Sequence, residues 1–290
     1  MTRIAHLSDI HFGANDPKIV AATEAWLQNH QPDLVIISGD LTQRATVDQF
    51  RQASAYLDRI RTSGFATLVV PGNHDVPLYD VVRRFAAPLD RYKRHISEDL
   101  CPWFENDDVA VLGLNTARSL TIADGRINRD QIALLRSRFA AVASAKTRIL
   151  VTHHPLYAMP IGEGGELSEA VGRHRDAAKA VGEAGVHLAL AGHFHRTYAA
   201  SANKMVEKAG SVLVMQAGTA TSTRLRNNEL QSFNLIHAYR NDDVELQVIA
   251  WNGSSFARGD HQRFNFDGNH WTAQSINEKS TDDERPGELT

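Results

Sequence analysis

The chain has 290 residues, of which 42% are hydrophobic and 22% charged, and its formal net charge is -3. This length fits one catalytic domain of layered α/β architecture around a single core. A slightly acidic balance gives no general attraction to nucleic acid or to anionic lipid, so neither is an expected partner. The single cysteine, Cys101, cannot form an intramolecular disulfide and is typical of a reducing compartment.

The first predicted strand begins almost at Met1. That start leaves no room for the charged region, apolar stretch and cleavage site of a secretion signal. No run of about eighteen apolar residues occurs, so no transmembrane helix is predicted. We therefore expect a cytoplasmic protein without membrane contact.

Short β-rich runs recur along the first two thirds of the chain, and helical patterns fill several of the gaps. The predicted strands are 3–7, 34–38, 66–70, 109–114, 148–152 and 188–191, and the predicted helices are 19–29, 46–61 and 129–142. The order strand, loop, helix, strand is typical of βαβ units, in which ligands bind at the carboxyl ends of the strands.

The second half changes character, because runs 212–216, 232–239 and 244–251 are predicted as strands with no helix between them. Consecutive strands of this kind favour a second, mostly antiparallel sheet packed on the first. The expected α/β fold is a four-layer αββα sandwich with two mixed β-sheets. A metal site is expected at the carboxyl ends of its strands.

Three regions are predicted along the chain: a catalytic domain over 1–251, a docking segment over 252–275 and a disordered tail over 276–290. The aromatic residues before the tail, among them Phe264 and Trp271, indicate docking on the domain or on a partner subunit, so a homo-oligomer is possible. The tail is too polar to bury enough apolar surface to become ordered.

Metal-binding side chains stand at the ends of the predicted strands. In chain order they are Asp9, His11, Asp40, Asn73, His153, His193 and His195. Such a mixed set of carboxylate, amide and imidazole ligands suits manganese, iron, zinc or cobalt better than calcium, and the lack of cysteine disfavours structural zinc. The series is large enough for two adjacent metal ions and predicts a binuclear metal hydrolase.

Spacing supports this interpretation. Asp9 and His11 are two residues apart, so on an extended strand their side chains point to the same face and can bind one ion together. Asp40 follows an apolar strand and can place one oxygen on each of two metals. Gly39 and Gly72 are interpreted as positions where the backbone turns sharply or approaches another group.

The motifs between residues 9 and 195 resemble the signature of the calcineurin-like metallophosphoesterases: D-x-H, GD, GNH, H and GH-x-H, in that order. The match is complete and covers about two thirds of the chain. The resemblance implies one metal held by Asp9, His11, Asp40 and His195, and a second held by Asp40, Asn73, His153 and His193. In the pair His153-His154 the family pattern makes the first histidine the ligand, with His154 as the alternative.

The resemblance also implies a mechanism, in which a metal-bridging hydroxide attacks phosphorus in line without a covalent intermediate. His74 corresponds to the family histidine that stabilises the transferring phosphoryl group or protonates the leaving oxygen, and Asp75 could orient it. Purple acid phosphatases carry a tyrosine ligand where this chain has Gln43. The motifs are instead similar to those of bacterial class III cyclic-nucleotide and glycerophosphodiester phosphodiesterases.

Three side chains are candidates for substrate binding, namely Asn115, His154 and Arg224. A turn or cap explains Asn115 equally well, and a salt bridge is the alternative for Arg224. Loop 158–175 is a candidate for the rim of the site, with a solvated loop as the alternative. Loop 219–226 is a candidate for substrate recognition.

The leading hypothesis is a phosphodiesterase that acts on small phosphoesters. Its rivals within catalysis are a phosphomonoesterase and a nuclease of the same superfamily; the latter is disfavoured because no cationic excess is present. The non-catalytic rival is a scaffold, which would more often have lost a ligand or the histidine of GNH.

Overall fold

A computed structural model describes residues 1–119, 125–158, 160–161, 166–167, 170–202, 212–225, 229–239 and 243–276. Within these ranges the strands are β1 (Thr2–Leu7), β2 (Leu34–Ser38), β3 (Ala66–Val70), β4 (Trp103–Glu105), β5 (Val109–Leu114), β6 (Thr147–Thr152), β7 (Pro160–Ile161), β8 (Glu166–Leu167), β9 (Leu188–Ala191), β10 (Tyr198–Ser201), β11 (Leu213–Gln216), β12 (Ser232–Tyr239), β13 (Asp243–Trp251), β14 (Phe256–Phe266) and β15 (Trp271–Ser275).

The α-helices of the same ranges are α1 (Pro17–His30), α2 (Val47–Thr62), α3 (Val81–Ala86), α4 (Asp90–His95), α5 (Arg129–Ala140) and α6 (His174–Glu183). Local signals set their first residues, because Asp16, Thr46 and Asn128 each accept a backbone N–H from the turn that follows. The nine strands predicted from the sequence lie within one residue of their observed bounds, and the three predicted helices lie within two. None of the described helices combines the length and apolar character needed to span a bilayer.

The strands form two large mixed sheets and one two-stranded ribbon, β7–β8. The first sheet has the order β15-β14-β13-β12-β1-β2-β3, in which β1, β2 and β3 are parallel. The second has the order β10-β11-β9-β6-β5-β4, in which β11, β9, β6 and β5 are parallel. The predicted α/β class with two mixed sheets is confirmed.

Side-chain alternation along the strands builds the four layers. On β2, Leu34 and Ile36 face a core that also contains Ile149 and Val151 of β6, so this core lies between the two sheets. The alternate residue Val35 packs with α1 and α2 on the outside. The other outer face, on the second sheet, is covered by α5 and α6.

The second half of the chain does not form a sheet of its own, and that part of the prediction was wrong. β12 and β13 are antiparallel neighbours, as predicted, and β14 and β15, which were not predicted, continue the antiparallel series. However, β12 pairs with β1 and so extends the first sheet. β11 joins the second sheet beside β9. Alternation predicts that a segment is a strand but does not identify the edge to which it adds.

The segment predicted to dock, 252–275, forms most of the outer edge of the first sheet. Phe264 of β14 and Trp271 of β15 are buried in the core between the sheets. The segment therefore packs on the chain itself, and the boundary drawn after residue 251 stays a prediction. Most of the tail predicted to be disordered, 277–290, lies outside the described residues.

Trp271 offers a test of this packing, since its side chain is only 5% exposed although it lies on an edge strand. Replacing it with alanine is expected to lower the free energy of unfolding by about 3 kcal/mol, through lost burial and the cavity left behind. Urea denaturation measures the change. Gln274→Ala on the exposed face of the same strand is the control, with an expected change below about 0.5 kcal/mol. A Trp271 loss as small as the control would contradict the packing.

Candidate metal centre

Five parallel strands bring the predicted ligands to one edge of the sandwich. Asp9 follows β1, Asp40 follows β2, Asn73 follows β3, His153 follows β6 and His193 follows β9. Because parallel strands of a sheet end at the same edge, ligands distant in sequence meet there. This is the position predicted for the metal site.

The loops that carry the ligands adopt an unusual backbone. Five of the seven predicted ligands have positive φ angles: Asp9 (54°), His11 (54°), Asp40 (52°), His193 (78°) and His195 (57°). Residues other than glycine rarely occupy this left-handed region, because it is sterically unfavourable. Such strain persists only where the surrounding structure fixes it, and it concentrates at functional sites.

One group of donor atoms is formed by Asp9, His11 and His195. The Nε2 atoms of the two histidines lie 3.1 Å apart. Oδ1 of Asp9 lies 3.1 Å from Nε2 of His195 and 3.6 Å from Nε2 of His11. That Oδ1 atom is fully buried and accepts no hydrogen bond within the described part of the chain. An ionised oxygen in such a place needs a cation.

The second group of donor atoms is formed by Asn73, His153 and His193. Oδ1 of Asn73 lies 3.0 Å from Nε2 of His153 and 3.1 Å from Nδ1 of His193. The two imidazole nitrogens are 3.3 Å apart. His153 is oriented by its other nitrogen, Nδ1, which donates to the carbonyl of Ser38 at 2.8 Å. This bond leaves Nε2 for a metal, as a histidine ligand requires.

Asp40 connects the two groups. Its Oδ2 atom lies 3.7 Å from Nε2 of His11 and 3.3 Å from Nε2 of His153. Its Oδ1 atom accepts the backbone N–H of His74 at 2.8 Å. The single atom Oδ2 thus faces both groups, and the bridging role of Asp40 stays a prediction.

These spacings fit two metal ions. Donor atoms held at about 2.1 Å from one ion, with angles of about 90° to 110° between them, lie about 3.0 to 3.4 Å apart. Most of the donor pairs within each group fall in this range. The combinations Asp9–His11–His195 and Asp9–Asp40–His153 each place their ligand atoms within 4.8 Å of one another. The residues present can thus hold the metals that the motifs imply.

The charges of the site favour ionised ligands. Burial opposes ionisation of Asp9, but the imidazoles of His195 and His11 outweigh it and hold the pKa of Asp9 well below its usual range. The pKa of Asp40 is lowered in the same way, against burial, chiefly by His153. Both carboxylates are therefore anionic at neutral pH, and anionic oxygens are the form that binds metal.

The adjacent histidine, His154, lies beside the second group. Its Nδ1 is 2.8 Å from the hydroxyl of Thr116, and its backbone N–H donates to the same oxygen. The geometry favours His153 as the ligand, because Nε2 of His153 contacts both Asn73 and Asp40. Donor atoms of His153, His154 and His193 still lie within 4.8 Å of one another, so the substrate or metal role of His154 stays a prediction.

The auxiliary histidine His74 is positioned by Gln43. Nδ1 of His74 lies 2.9 Å from the carbonyl oxygen of Gln43, to which it donates. The ring contacts that of His11 edge-on, with 4.9 Å between the centroids. Burial lowers the pKa of His74, and the carboxylate of Asp40 opposes this shift. Nε2 is thus the nitrogen of His74 that remains for a substrate.

Asp75 does not orient His74, contrary to expectation. Its carboxylate accepts the backbone N–H groups of Leu41, Thr42 and Gly72 at 3.2, 2.9 and 3.0 Å, and the hydroxyl of Thr42 at 2.9 Å. Asp75 therefore joins the loop after β2 to the loop after β3. It positions the backbone around Asp40 rather than the neighbouring imidazole.

Gly39 and Gly72 occupy tight positions, as predicted. A Cβ atom on Gly72 would lie 2.1 Å from Oδ1 of Asp40. Gly39 has a φ of +97°, and a Cβ there would lie 2.6 Å from Nδ1 of His153. Any side chain at either position would displace a predicted ligand.

Several residues that stabilise the metal loops were not predicted from the sequence. Ser8 donates to Oδ2 of Asp9 at 2.6 Å, Thr219 to the carbonyl of Asp9 at 2.7 Å, and Thr221 to the carbonyl of Ile10 at 2.7 Å. These threonines belong to the loop predicted to recognise substrate, but they are buried and fix the first metal loop. Their partners are mostly backbone carbonyls distant in sequence, so no local sequence pattern predicts these hydrogen bonds.

Arg224 contributes through its backbone. Its carbonyl oxygen lies 3.2 Å from Nδ1 of His195, and this contact directs Nε2 of His195 toward Asp9. The side chain is exposed, and its contact with substrate stays a prediction.

Asn115 is buried, and its Oδ1 atom accepts the N–H of Ala117 at 2.8 Å, as the turn interpretation requires. Its substrate role stays a prediction. The two candidate loops, 158–175 and 219–226, are only partly described. Gly162, Gly164 and Gly165 of the first loop and Arg226 of the second lie outside the described residues.

An αββα sandwich with two donor groups sharing one aspartate at its strand ends defines a binuclear metallohydrolase. A family model described as calcineurin-like phosphoesterase matches residues 2–197. This match covers more than half of the chain, and the chain belongs to that family.

In the alignments with two curated relatives, about a quarter of the aligned residues are identical. A probable cyclic nucleotide phosphodiesterase of Synechococcus is 24% identical over 214 residues, which cover 67% of this chain and 74% of the relative. A glycerophosphodiester phosphodiesterase of Enterobacter lignolyticus is 24% identical over 173 residues, covering 55% of this chain and 58% of the relative. The chain thus spans under two thirds of the second relative.

A solved structure supports the fold. A purple acid phosphatase from seeds of yellow lupin, Lupinus luteus, superposes with a TM-score of 0.66 at 16% sequence identity. The superposition covers 89% of this chain and 52% of that chain. At this identity the likeness concerns architecture and not substrate.

Proposed function

We propose that the chain is a phosphodiesterase that hydrolyses small phosphodiesters of the cyclic-nucleotide or glycerophosphodiester type. The observation that carries the proposal is Oδ2 of Asp40, which faces two donor groups at once, with His74 held beside them. The names of the curated relatives support diesters over monoesters.

Two bound metal ions would lower the pKa of a water molecule and neutralise phosphate oxygens. The chain's own part is to hold them and to keep the site positive. Asp9 and Asp40 balance half the charge of two divalent ions, and the imidazole and amide ligands add none at neutral charge. An anionic phosphodiester is therefore attracted to this site although the whole chain is slightly acidic.

The placement of the hydroxyl groups around the site favours direct hydrolysis by water over attack by a side chain. The hydroxyl of Ser8 is buried and donates to Asp9. That of Thr42 is also buried and contacts Asp75. Neither is placed as a nucleophile. His74 lies outside both donor groups and would donate a proton, or a hydrogen bond, to the leaving oxygen.

Several finer properties belong to the same proposal. The oxygen and nitrogen ligands suit manganese, iron, zinc or cobalt. A cytoplasmic location accords with Cys101 being a free cysteine. A homo-oligomer stays a prediction.

The test is a comparison of substrates on metal-free protein reloaded with Mn²⁺. Adenosine 3',5'-cyclic phosphate and glycerophosphoethanolamine represent the diesters, glycerol 3-phosphate the monoesters and a single-stranded oligonucleotide the nucleic acids. We expect kcat/KM at least about 100-fold higher for one or both small diesters than for the monoester, and no activity before reloading.

Each rival has its own outcome in this assay. Preference for the monoester would indicate a phosphomonoesterase, and rapid cleavage of the oligonucleotide would indicate a nuclease. A protein that binds two equivalents of Mn²⁺ but hydrolyses none of the substrates would contradict catalysis and support the scaffold.

A further inference from the structure

A group of exposed apolar side chains follows directly after the metal loop of β3. Tyr79 is 73% exposed, Val82 80% and Phe85 57%, and Leu78 and Val81 are exposed as well. Single exposed apolar residues are ordinary, but five within eight residues form a patch, and such patches mark binding surfaces. We call residues 78–85 the apolar rim.

The apolar rim is held in place rather than loosely attached. Arg84 is buried and donates to the carbonyls of Pro77 and Ser119 at 3.1 and 2.8 Å. The side chain of Asp80 accepts the backbone N–H of Arg83 at 3.1 Å and so caps α3. The exposure of Tyr79 between these anchors is therefore a fixed feature of the surface.

Arg44 connects the apolar rim to the metal centre. It follows Gln43, whose carbonyl accepts the Nδ1 proton of His74. The guanidinium of Arg44 lies over the ring of Tyr79, 5.5 Å from its centroid, in a cation–π arrangement. Tyr79 is thus connected through Arg44 and Gln43 to His74, the histidine that would donate a proton to the leaving oxygen.

We propose that Tyr79, with Arg44, binds the aromatic base of a nucleoside phosphodiester while its phosphate occupies the metal centre. This inference rests on the proposed function and narrows its substrate class. Arg44 covers one face of the ring, and the 73% exposure leaves the rest of the ring to a base. Aromatic side chains stack on any base, because every base has a π-face, and a nearby guanidinium strengthens the contact. A glycerol group offers no such face.

The experiment compares two diesters on Mn²⁺-loaded enzyme, adenosine 3',5'-cyclic phosphate and glycerophosphoethanolamine. For Tyr79→Leu, the ratio of kcat/KM for the nucleotide to that for the glycerol diester is expected to fall about 10-fold, mainly through KM. Tyr79→Phe, which keeps the ring, retains the ratio. Leu230→Ala removes an exposed apolar side chain outside the rim and serves as a control, with the wild-type ratio.

An unchanged ratio in Tyr79→Leu would overturn the inference and leave the proposed function standing. An equal loss for both diesters, with a dimer becoming a monomer in light scattering, would overturn it by making the apolar rim a subunit interface. If the wild-type enzyme hydrolyses neither diester, the proposed function fails, and binding of adenosine 5'-phosphate by calorimetry still decides the inference. The Kd is expected to rise about 10-fold in Tyr79→Leu, and an equal Kd would overturn the inference.

Discussion

Replacing Asp40 with asparagine is expected to lower kcat/KM for a small phosphodiester by about 1000-fold or more, equivalent to about 4 kcal/mol of transition-state stabilisation. The carboxylate serves two partners: Oδ1 accepts the His74 N–H, and Oδ2 faces His11 and His153. An amide offers an oxygen at only one of these positions. Either the loop after β3 or the shared ligand position is therefore lost.

Elemental analysis and steady-state kinetics together measure this effect. Asp40→Asn is expected to retain fewer than two equivalents of Mn²⁺ after reloading, with intact secondary structure. Asp48→Asn is the matched control, because the Asp48 side chain is 84% exposed and forms an ion pair with Arg51 on the surface of α2. Such pairs contribute little, so its activity should stay within about twofold of wild type. Two bound equivalents with normal turnover in Asp40→Asn would contradict the shared-ligand geometry.

Much of this site could be predicted because parallel strands end at a common edge. Residue type and order at those ends were enough to propose the ligands, including pairs as distant as Asp9 and His195. The loop conformations could not be predicted. Asp9, Asp40 and His195 have positive φ, a region that their side chains disfavour in isolation, so tertiary contacts decide it.

Asp75 illustrates why neighbours in sequence mislead. Its position beside His74 suggested a carboxylate–imidazole pair. In the structure, residues 73–75 form one turn of 3-10 helix, and the Asp75 carboxylate is directed to the backbone of Gly72, Leu41 and Thr42. Those partners are backbone N–H groups, which every residue type except proline carries. No sequence pattern could have selected them.

The fold, like the site, could be predicted from the sequence only in part. Alternating and apolar runs identified the strands, and α2 was visible from apolar positions such as Phe50, Leu57 and Ile60 at helical spacing. The sequence did not predict which sheet β12 would join. It pairs with β1, more than two hundred residues earlier, because the open edge of β1 was not occupied by a neighbouring element. Such pairing depends on which edge remains available in three dimensions.

Replacing His74 with asparagine is expected to separate leaving-group chemistry from metal binding. His74 holds Asp40 through its backbone N–H, which the substitution preserves, and its side chain lies outside both donor groups. Metal content should therefore remain at two equivalents. For a diester with an alkoxide leaving group, kcat should fall by about 100- to 1000-fold, because a basic oxygen needs a proton as it departs.

The comparison substrate is methyl 4-nitrophenyl phosphate, whose leaving group is weakly basic. Because nitrophenolate departs without a proton, the loss for this diester in His74→Asn should be no more than about tenfold. His270→Asn on the exposed turn before β15 is the control and should behave as wild type for both diesters. A loss that is equal for the two leaving groups would assign His74 to binding the phosphoryl group instead. Loss of metal in the same variant would mean that the imidazole of His74 supports the donor groups, contrary to its position outside them.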